Sequence, residues 1–164
     1  MRRFGITRTI VRGLCGTFLL IISSNAHSQS QRGVSASDLI VVDAWMPQPL
    51  QGARAGAIYL KIENKGSEAD QLLGVESPVV RQVMVHESKE SGGVMKMLPR
   101  SSMEIRPHAV VELKPMGVHL MAMGLRSVLR KSNTFPITLN FMRAGGVTVD
   151  VVVEAPGALM PTSP

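Results

Sequence analysis

The chain has 164 residues, 45% of them hydrophobic and 4% aromatic, which suits one domain of ordinary size with a mainly aliphatic core. The formal charge of +6 does not indicate a nucleic-acid-binding protein, because the first 28 residues contribute four arginines and no carboxylate. The remaining residues hold 14 basic and 12 acidic side chains, a net charge of +2.

The N-terminal segment is typical of a secretory signal peptide. It starts with MRRFGITR, continues with an apolar run from Leu14 to Ile22, and ends in small and polar residues. The run is about half of the ~20 residues that span a bilayer, so a permanent anchor is the weaker alternative. We predict that residues 1–28 are a signal peptide for export to the periplasm. The single cysteine, Cys15, would be removed with it, leaving no disulfide and no thiolate metal ligand.

The rest of the chain is typical of a single all-β domain. Residues 29–37, QSQRGVSAS, are polar and are predicted to be a flexible linker. Eight or nine strand candidates follow: LIVVDAW, AGAIYLKIENKG, DQLLGVES, RQVMVHES, GVMKMLP, AVVELKP, GVHLMAMGL, TFPITLNFMR and VTVDVVVEA. A loop, KESGG, is expected after the fourth, and residues 124–133 have room for one helical turn. This pattern predicts an antiparallel β-sandwich over residues 38–155, with a flexible tail over residues 156–164.

The sequence does not indicate an enzyme. It lacks G-x-S-x-G, a glycine-rich phosphate loop, H-E-x-x-H and C-x-x-C, and no pair of carboxylates is set apart by its spacing. We therefore predict a protein without catalytic residues.

Histidine and methionine alternate in two of the strand candidates. Met84 precedes His86 by two positions, and Met121 follows His119 by two. Residues two apart on a strand lie on the same face. Imidazole and thioether together form a soft, neutral donor set that favours Cu(I) over hard cations. Methionine is also a common filler of cores, so the alternation alone leaves both a metal site and ordinary packing open.

The spacing between these segments is more specific. Ten residues separate His86 from Met97, twenty-one separate Met97 from His119, and one separates His119 from Met121. This resembles the H-x10-M-x21-H-x-M pattern of the PCuAC family, the periplasmic copper chaperones of bacteria. The blocks VDAWMP, GAIYLKIENKG, VMVHES, GVMKMLP, VVELKPMGVHLMAMGL and FPITLNF extend the resemblance over roughly residues 38 to 154.

The resemblance implies a cupredoxin-like β-sandwich that binds one Cu(I) through His86, Met97, His119 and Met121. It also implies a metallochaperone. With the predicted signal peptide and the small net charge, we expect an exported monomer that binds no nucleic acid and stays out of the membrane after signal cleavage. Its partner would be a copper acceptor, either subunit II of cytochrome c oxidase, which carries the CuA centre, or a Sco-type protein.

Several alternatives stay open at the level of sequence. Met84, Met95 and Met123 share faces with the implied ligands and are interpreted as packing, whereas the role of Met116 is undecided. The same copper site would serve sequestration for copper tolerance as well as delivery. A metal-free β-sandwich interaction domain with a methionine-rich core is the third alternative.

Overall fold

The computed structural model describes residues 34–36 and 38–161, which form eleven β-strands and no helix. The strands are β1 (Val34–Ala36), β2 (Leu39–Pro47), β3 (Ala55–Asn64), β4 (Asp70–Glu76), β5 (Gln82–Ser91), β6 (Val94–Arg100), β7 (Met103–Ile105), β8 (Val110–Leu113), β9 (Val118–Met123), β10 (Thr134–Phe141) and β11 (Gly145–Glu154). In this part of the chain no helix could cross a membrane.

Some segments fall outside the described residues. These are the whole predicted signal peptide, most of the predicted linker and the last three residues of the predicted tail. Within the predicted linker, β1 pairs with β2.

The strands form one sheet that folds back on itself. Their order is β1-β2-β11-β10-β4-β5-β9-β3-β8, with β6 beside β5 and β7 beside β4, and a further pairing of β2 with β3 closes the sheet. The predicted β-sandwich is therefore confirmed. The expectation of purely antiparallel pairing is wrong at one place, because β2 and β11 run side by side in the same direction. These two strands are far apart in the chain, so no tight turn forces them to be antiparallel.

The core lies between the two halves of the folded sheet and follows the period of two along each strand. On β3, Ile58, Leu60 and Ile62 are buried, and the residues between them are partly exposed. The same alternation buries Phe135, Ile137, Leu139 and Phe141 on β10 and Val147, Val149, Val151 and Val153 on β11.

A β-bulge in β2 changes which residues face the core. Three steps along β2, from Val42 to Trp45, match two steps along β3, and Asp43 adopts a φ of 53°. The extra residue shifts the alternation by one, so that Met46 is fully buried in the core and Trp45 is paired with Tyr59 on the opposite face.

A second irregularity separates β8 from β9. Leu113, the last residue of β8, is paired with Leu60 of β3, and Leu120 of β9 is paired with Ile58. The six residues 114–119 therefore stand opposite Tyr59 alone. The amide of Lys114 donates to the carbonyl of Val118 at 2.8 Å, and this hydrogen bond closes the loop formed by these residues. The start of β9 is thereby held against β5.

The connection between β5 and β6 is shorter than expected. Instead of the predicted loop KESGG, β5 continues to Ser91 and a two-residue turn follows, with Gly92 at φ 62° and Gly93 at φ 76°. Two consecutive residues at positive φ make the turn whose twist matches an antiparallel hairpin, and glycine adopts that conformation readily.

Residues 124–133 form an irregular loop and not the helical turn for which they had room. Their amides bond to other segments: the amide of Arg126 donates to the carbonyl of Val79, and that of Ser132 donates to the carbonyl of Val153. These bonds hold the loop against neighbouring strands and replace the local bonds that a helical turn would make.

A buried carboxylate fixes the hairpin between β10 and β11. Asp70 accepts hydrogen bonds from the amides of Gln71, Arg143 and Ala144 at 2.7 to 2.9 Å. Burial alone would raise the pKa of Asp70, but these three donors stabilise the ionised form and bring its pKa below the ordinary value.

Candidate metal centre

The two strand histidines stand directly opposite each other. β5 and β9 pair in a register that matches His86 with His119, and the ring centroids are 6.0 Å apart at an angle of 73°. The neighbours of these residues along both strands, such as Val85 and Leu120, are buried in the core. The histidines therefore lie on the opposite side of the sheet, which we call the outer face.

His119 is held in a defined orientation. Its Nδ1 lies 3.1 Å from the carbonyl oxygen of Gly117, which can only accept, so Nδ1 carries the proton and the lone pair is at Nε2. Its ring centroid also lies 6.3 Å from that of Tyr59, and the Tyr59 centroid lies 4.8 Å from that of Trp45 with the two rings tilted by 46°. These contacts leave His119 only 4% exposed although it is on the outer face.

His86 carries a buried nitrogen without a partner. Its Nδ1 makes no hydrogen bond to any of the described residues. A buried, unpaired ring nitrogen is costly unless a ligand or ion satisfies it. The pKa of His86 is lowered, first by burial and second by the charge of His119, so the neutral imidazole, which is the metal-binding form, is favoured.

A pair of methionines lies next to the histidine pair. Met121 is directly opposite Met84, two residues along from His119 and His86 respectively, and both side chains are half-buried. Register alone gives the two thioethers equivalent positions beside the imidazoles. Sequence reasoning assigned Met84 to packing, and the signal that could have included it is its spacing of two from His86.

Met97 reaches the same face from β6. It is paired with Ser88, two residues along from His86, which makes it a diagonal neighbour of that histidine on the side away from Met121. Diagonal neighbours are about 7–8 Å apart at their Cα atoms, within reach of a long side chain. Met97 is 58% exposed and belongs to the outermost strand of the β5–β6 hairpin.

The remaining methionines between positions 84 and 123 differ in their surroundings. Met103 is buried in the core. Met123 is half-buried opposite Gln82, beyond the two methionines, and Met95 and Met116 are exposed. The contact of Tyr59 with His119, and that of Trp45 with Tyr59, were not predicted, because the bulge that turns Trp45 outward has no clear sequence signal.

The donor set on the outer face fits a soft metal ion. The two imidazoles lie between the thioethers of Met84 and Met121 on one side and that of Met97 on the other. Nε2 of His119 and Nδ1 of His86 are not engaged by described protein groups. Elsewhere in the described residues no group of three or more His, Cys, Asp or Glu gathers to hold a metal. A site here would therefore depend on methionine sulfur, which selects for soft monovalent copper.

Comparison with known proteins places the chain in a family. The model of the LpqE-like family matches residues 39–153. A protein of Leifsonia xyli subsp. xyli (strain CTCB07), named "Putative lipoprotein Lxx21020", is 28% identical over 123 residues, covering 74% of this chain and 73% of the relative.

Solved structures with the same fold carry copper. The copper-bound PCuAC domain from PmoF2 superposes with a TM-score of 0.67 at 25% identity, covering 77% of this chain and 100% of that domain. The Cu(I) form of DR1885 from Deinococcus radiodurans gives a TM-score of 0.55 at 25% identity, covering 80% of this chain and 85% of the other. The expected cupredoxin-like β-sandwich is thus confirmed, and the chain belongs to the LpqE-like family of PCuAC-type proteins.

Proposed function

We propose that this protein is an exported Cu(I)-binding metallochaperone whose ligands are His86, Met97, His119 and Met121. The observation that carries the proposal is the direct pairing of His86 with His119 between thioethers from two neighbouring strands. The copper-bound structures of two relatives at 25% identity support copper as the cargo.

The preference for Cu(I) follows from the chemistry of the donors. Two neutral imidazoles and two thioethers leave the charge of the ion uncompensated, which favours a monovalent ion, and thioether sulfur is a poor ligand for Mg²⁺, Ca²⁺ or Zn²⁺. The single cysteine lies at position 15, within the predicted signal peptide, so thiolate has no part in the proposed site.

The exposure of the ligands suits transfer. His119 is buried at 4% exposure, whereas Met97 is 58% exposed on the hairpin. A ligand from an acceptor protein can therefore replace the Met97 thioether while the imidazoles still hold the ion. The acceptor we propose is the CuA centre of cytochrome c oxidase subunit II or a Sco-type protein.

Export of the protein is supported by two independent features. The first 28 residues have the pattern of a signal peptide. The matching family and the Leifsonia relative carry lipoprotein names, which are given to exported proteins. We propose a periplasmic location on this basis.

The proposal is tested by anaerobic titration of the protein with Cu(I) against a competing chromophoric chelator. We expect one equivalent to bind, and X-ray absorption of the loaded protein to show both nitrogen and sulfur ligands. His119→Ala should bind at least tenfold more weakly, since even the loss of a group that only supports a ligand costs 10–100-fold. Absence of Cu(I) binding, or binding by His119→Ala equal to that of the original protein, contradicts the proposal.

Delivery and sequestration require a separate experiment. If the protein delivers copper, a strain lacking it loses oxidase activity at low copper and recovers when copper is supplied in excess. If it sequesters copper, the same strain instead becomes sensitive to high copper with normal oxidase activity.

A further inference from the structure

One end of the sandwich carries a concentration of positive charge. The loops 48–54, 77–81 and 124–133 contain no Asp or Glu, but they contain Arg54, Arg81, Arg126, Arg130 and Lys131. We call these five side chains the basic pole. The rest of residues 38–161 holds eight Lys or Arg and all twelve Asp and Glu, so the domain is strongly polarised although its net charge is small.

The three loops meet at the same end because of the strand directions. β3 and β5 begin there and β9 ends there, since Met123 is paired with both Ala55 and Gln82. Backbone hydrogen bonds join the loops: the amide of Gly124 donates to the carbonyl of Arg54 at 2.7 Å, and that of Arg81 donates to the carbonyl of Gly124 at 3.1 Å. The arginines are therefore clustered by the fold itself.

Within residues 34–36 and 38–161, the cations of the basic pole form no ion pair. The six ion pairs of the described residues involve other lysines and arginines, and all five side chains of the pole are exposed. Two carboxylates end strands at this pole. Glu76 accepts a hydrogen bond from Asn140, and Glu154 is buried at 2% exposure. Neither of them lines the cavities between these loops.

Two aliphatic side chains project from the same end. Leu50 is 78% exposed and Val128 is 77% exposed, the highest values among large hydrophobic side chains in the described part of the chain. Both line an open cavity of about 490 Å³ together with Arg126 and Arg130. A second cavity of about 430 Å³ is lined by Arg54, Arg81 and Arg126.

We propose that the basic pole, with Leu50 and Val128, is a docking surface for a membrane that contains anionic phospholipids. Guanidinium groups bind phosphate oxygens in a bidentate manner, and each Lys or Arg near an anionic leaflet strengthens binding about fivefold. Exposed aliphatic side chains beside such cations match the boundary between headgroups and acyl chains. A purely acidic protein surface would pair with the cations but would give the two projecting aliphatic side chains no apolar environment, whereas the boundary between headgroups and acyl chains offers both.

The docking surface contains none of the four proposed copper ligands. Met123, which lines the cavity of Arg54, Arg81 and Arg126, is two residues from Met121 and four from His119 on β9, which corresponds to ~7 Å and ~13 Å at ~3.3 Å per residue. Docking at the pole would leave the outer face free while keeping the protein at the membrane surface. The inference does not depend on copper binding.

The test is co-sedimentation of residues 29–164 with lipid vesicles. This fragment contains every described strand and the whole core, and a solved PCuAC domain of the same fold is covered over its entire length, so the fragment is expected to fold by itself. Leaving out residues 1–28 removes the apolar, arginine-rich segment that would bind vesicles on its own. Binding to vesicles of phosphatidylcholine with phosphatidylglycerol, and its loss in phosphatidylcholine alone or at high salt, is the expected result.

Paired variants distinguish the effect of charges at the basic pole from the effect of net charge. Arg126→Gln with Arg130→Gln should weaken binding about 25-fold, since each charge accounts for about fivefold. Lys89→Gln with Lys96→Gln removes the same charge from two exposed lysines of the β5–β6 hairpin that form no ion pair with any described residue. This variant should change binding less than about threefold, because these lysines lie away from the pole.

The aliphatic side chains are tested in the same way. Leu50→Ser with Val128→Ser should weaken vesicle binding about tenfold. The control Leu73→Ser changes an exposed leucine on β4 and should not weaken vesicle binding. The inference is overturned if the original fragment, shown to be folded by its melting transition, does not bind anionic vesicles. It is also overturned if both lysine and arginine variants lose binding equally, or if the fragment binds only acidic proteins or free phosphate.

Discussion

Met121 and Met123 lie on the same face of β9, two residues apart, but their surroundings differ. Met121 is opposite Met84 and next to the pair of His86 and His119, whereas Met123 is opposite Gln82 at the end of the strand. The two side chains are alike in kind and both half-buried, so their position relative to the histidines is what separates their proposed roles.

This difference leads to the first prediction. Met121→Leu removes a thioether with little change in volume and should lower Cu(I) affinity at least tenfold. Met123→Leu is the matched control and should change the affinity less than about threefold. Competition titration of both variants measures this, and an equal loss in the two would show that the assignment of Met121 alone is wrong.

The second prediction uses the single tryptophan of the chain as a reporter. Trp45 is in ring contact with Tyr59, which is next to His119, so ligation of His119 should change the emission of Trp45. We expect a saturable change at one equivalent of Cu(I) that is absent in His119→Ala. Unchanged emission in a protein that the chelator assay shows to be loaded would place the ion elsewhere.

The third prediction concerns the pH dependence of stability without metal. Because the pKa of His86 is lowered by folding, the unfolded chain takes up this proton first as the pH falls below about 6.5. The free energy of unfolding should therefore decrease as the pH falls from about 6.5 towards the folded pKa of His86, and it should level off below that pKa. Copper affinity should fall in the same direction, since a protonated imidazole cannot bind metal.

Urea unfolding at neutral pH and at about pH 5 measures this effect. His86→Gln should show a smaller loss of stability on acidification than the original protein. His108→Gln changes an exposed histidine in a turn and should leave the loss unaltered. If the His86 and His108 variants behave alike, burial of His86 does not control the acid response.

The fourth prediction concerns the buried carboxylate at the opposite end of the sandwich from the basic pole. Asp70→Ala leaves three amide donors without their acceptor and should lower the free energy of unfolding by about 3 kcal/mol. Asp150→Ala, an exposed position on β11, should cost less than about 0.5 kcal/mol.

The pH effect at Asp70 has the same sign as that at His86 but a different cause, because hydrogen bonds stabilise the charged form of Asp70 whereas burial disfavours the charged form of His86. Its folded pKa is lower than its unfolded pKa, so its contribution is complete above about pH 4 and is lost as the pH falls through the folded pKa. Acid unfolding of the original protein should therefore be steeper at low pH than that of Asp70→Asn. Superimposable acid transitions would contradict this account.

The fifth prediction tests the loop that brings the arginines together. Gly124 has a φ of 69°, and a Cβ there would lie 2.7 Å from Cβ of Arg81. Gly124→Ala should cost at least about 1–2 kcal/mol, since it combines a left-handed backbone with a steric overlap. Gly74→Ala, where a Cβ would meet nothing within 4 Å, is the control for thermal unfolding. A Gly124 variant as stable as the control would mean that the loop shifts freely.

The sequence determined the fold class and, through the resemblance of its motif, the four side chains proposed as ligands. Hydrophobic residues recur at every second position at Ile58, Leu60 and Ile62, and His119 and Met121 are also two positions apart. Both patterns can be read within a single strand, without knowledge of its neighbours. The spacing across the motif made the resemblance to PCuAC proteins specific.

The tertiary structure alone decided which residues stand opposite one another. The match of His86 with His119 depends on the register of β5 and β9, and the position of Met97 depends on the two-glycine turn that replaces the expected loop. Register and turn type are set by the packing of whole strands, and one residue of slip would move these side chains to the other face. The outward turn of Trp45 at the bulge and the meeting of three arginine-bearing loops at one end likewise arise from contacts between segments that are distant in the chain.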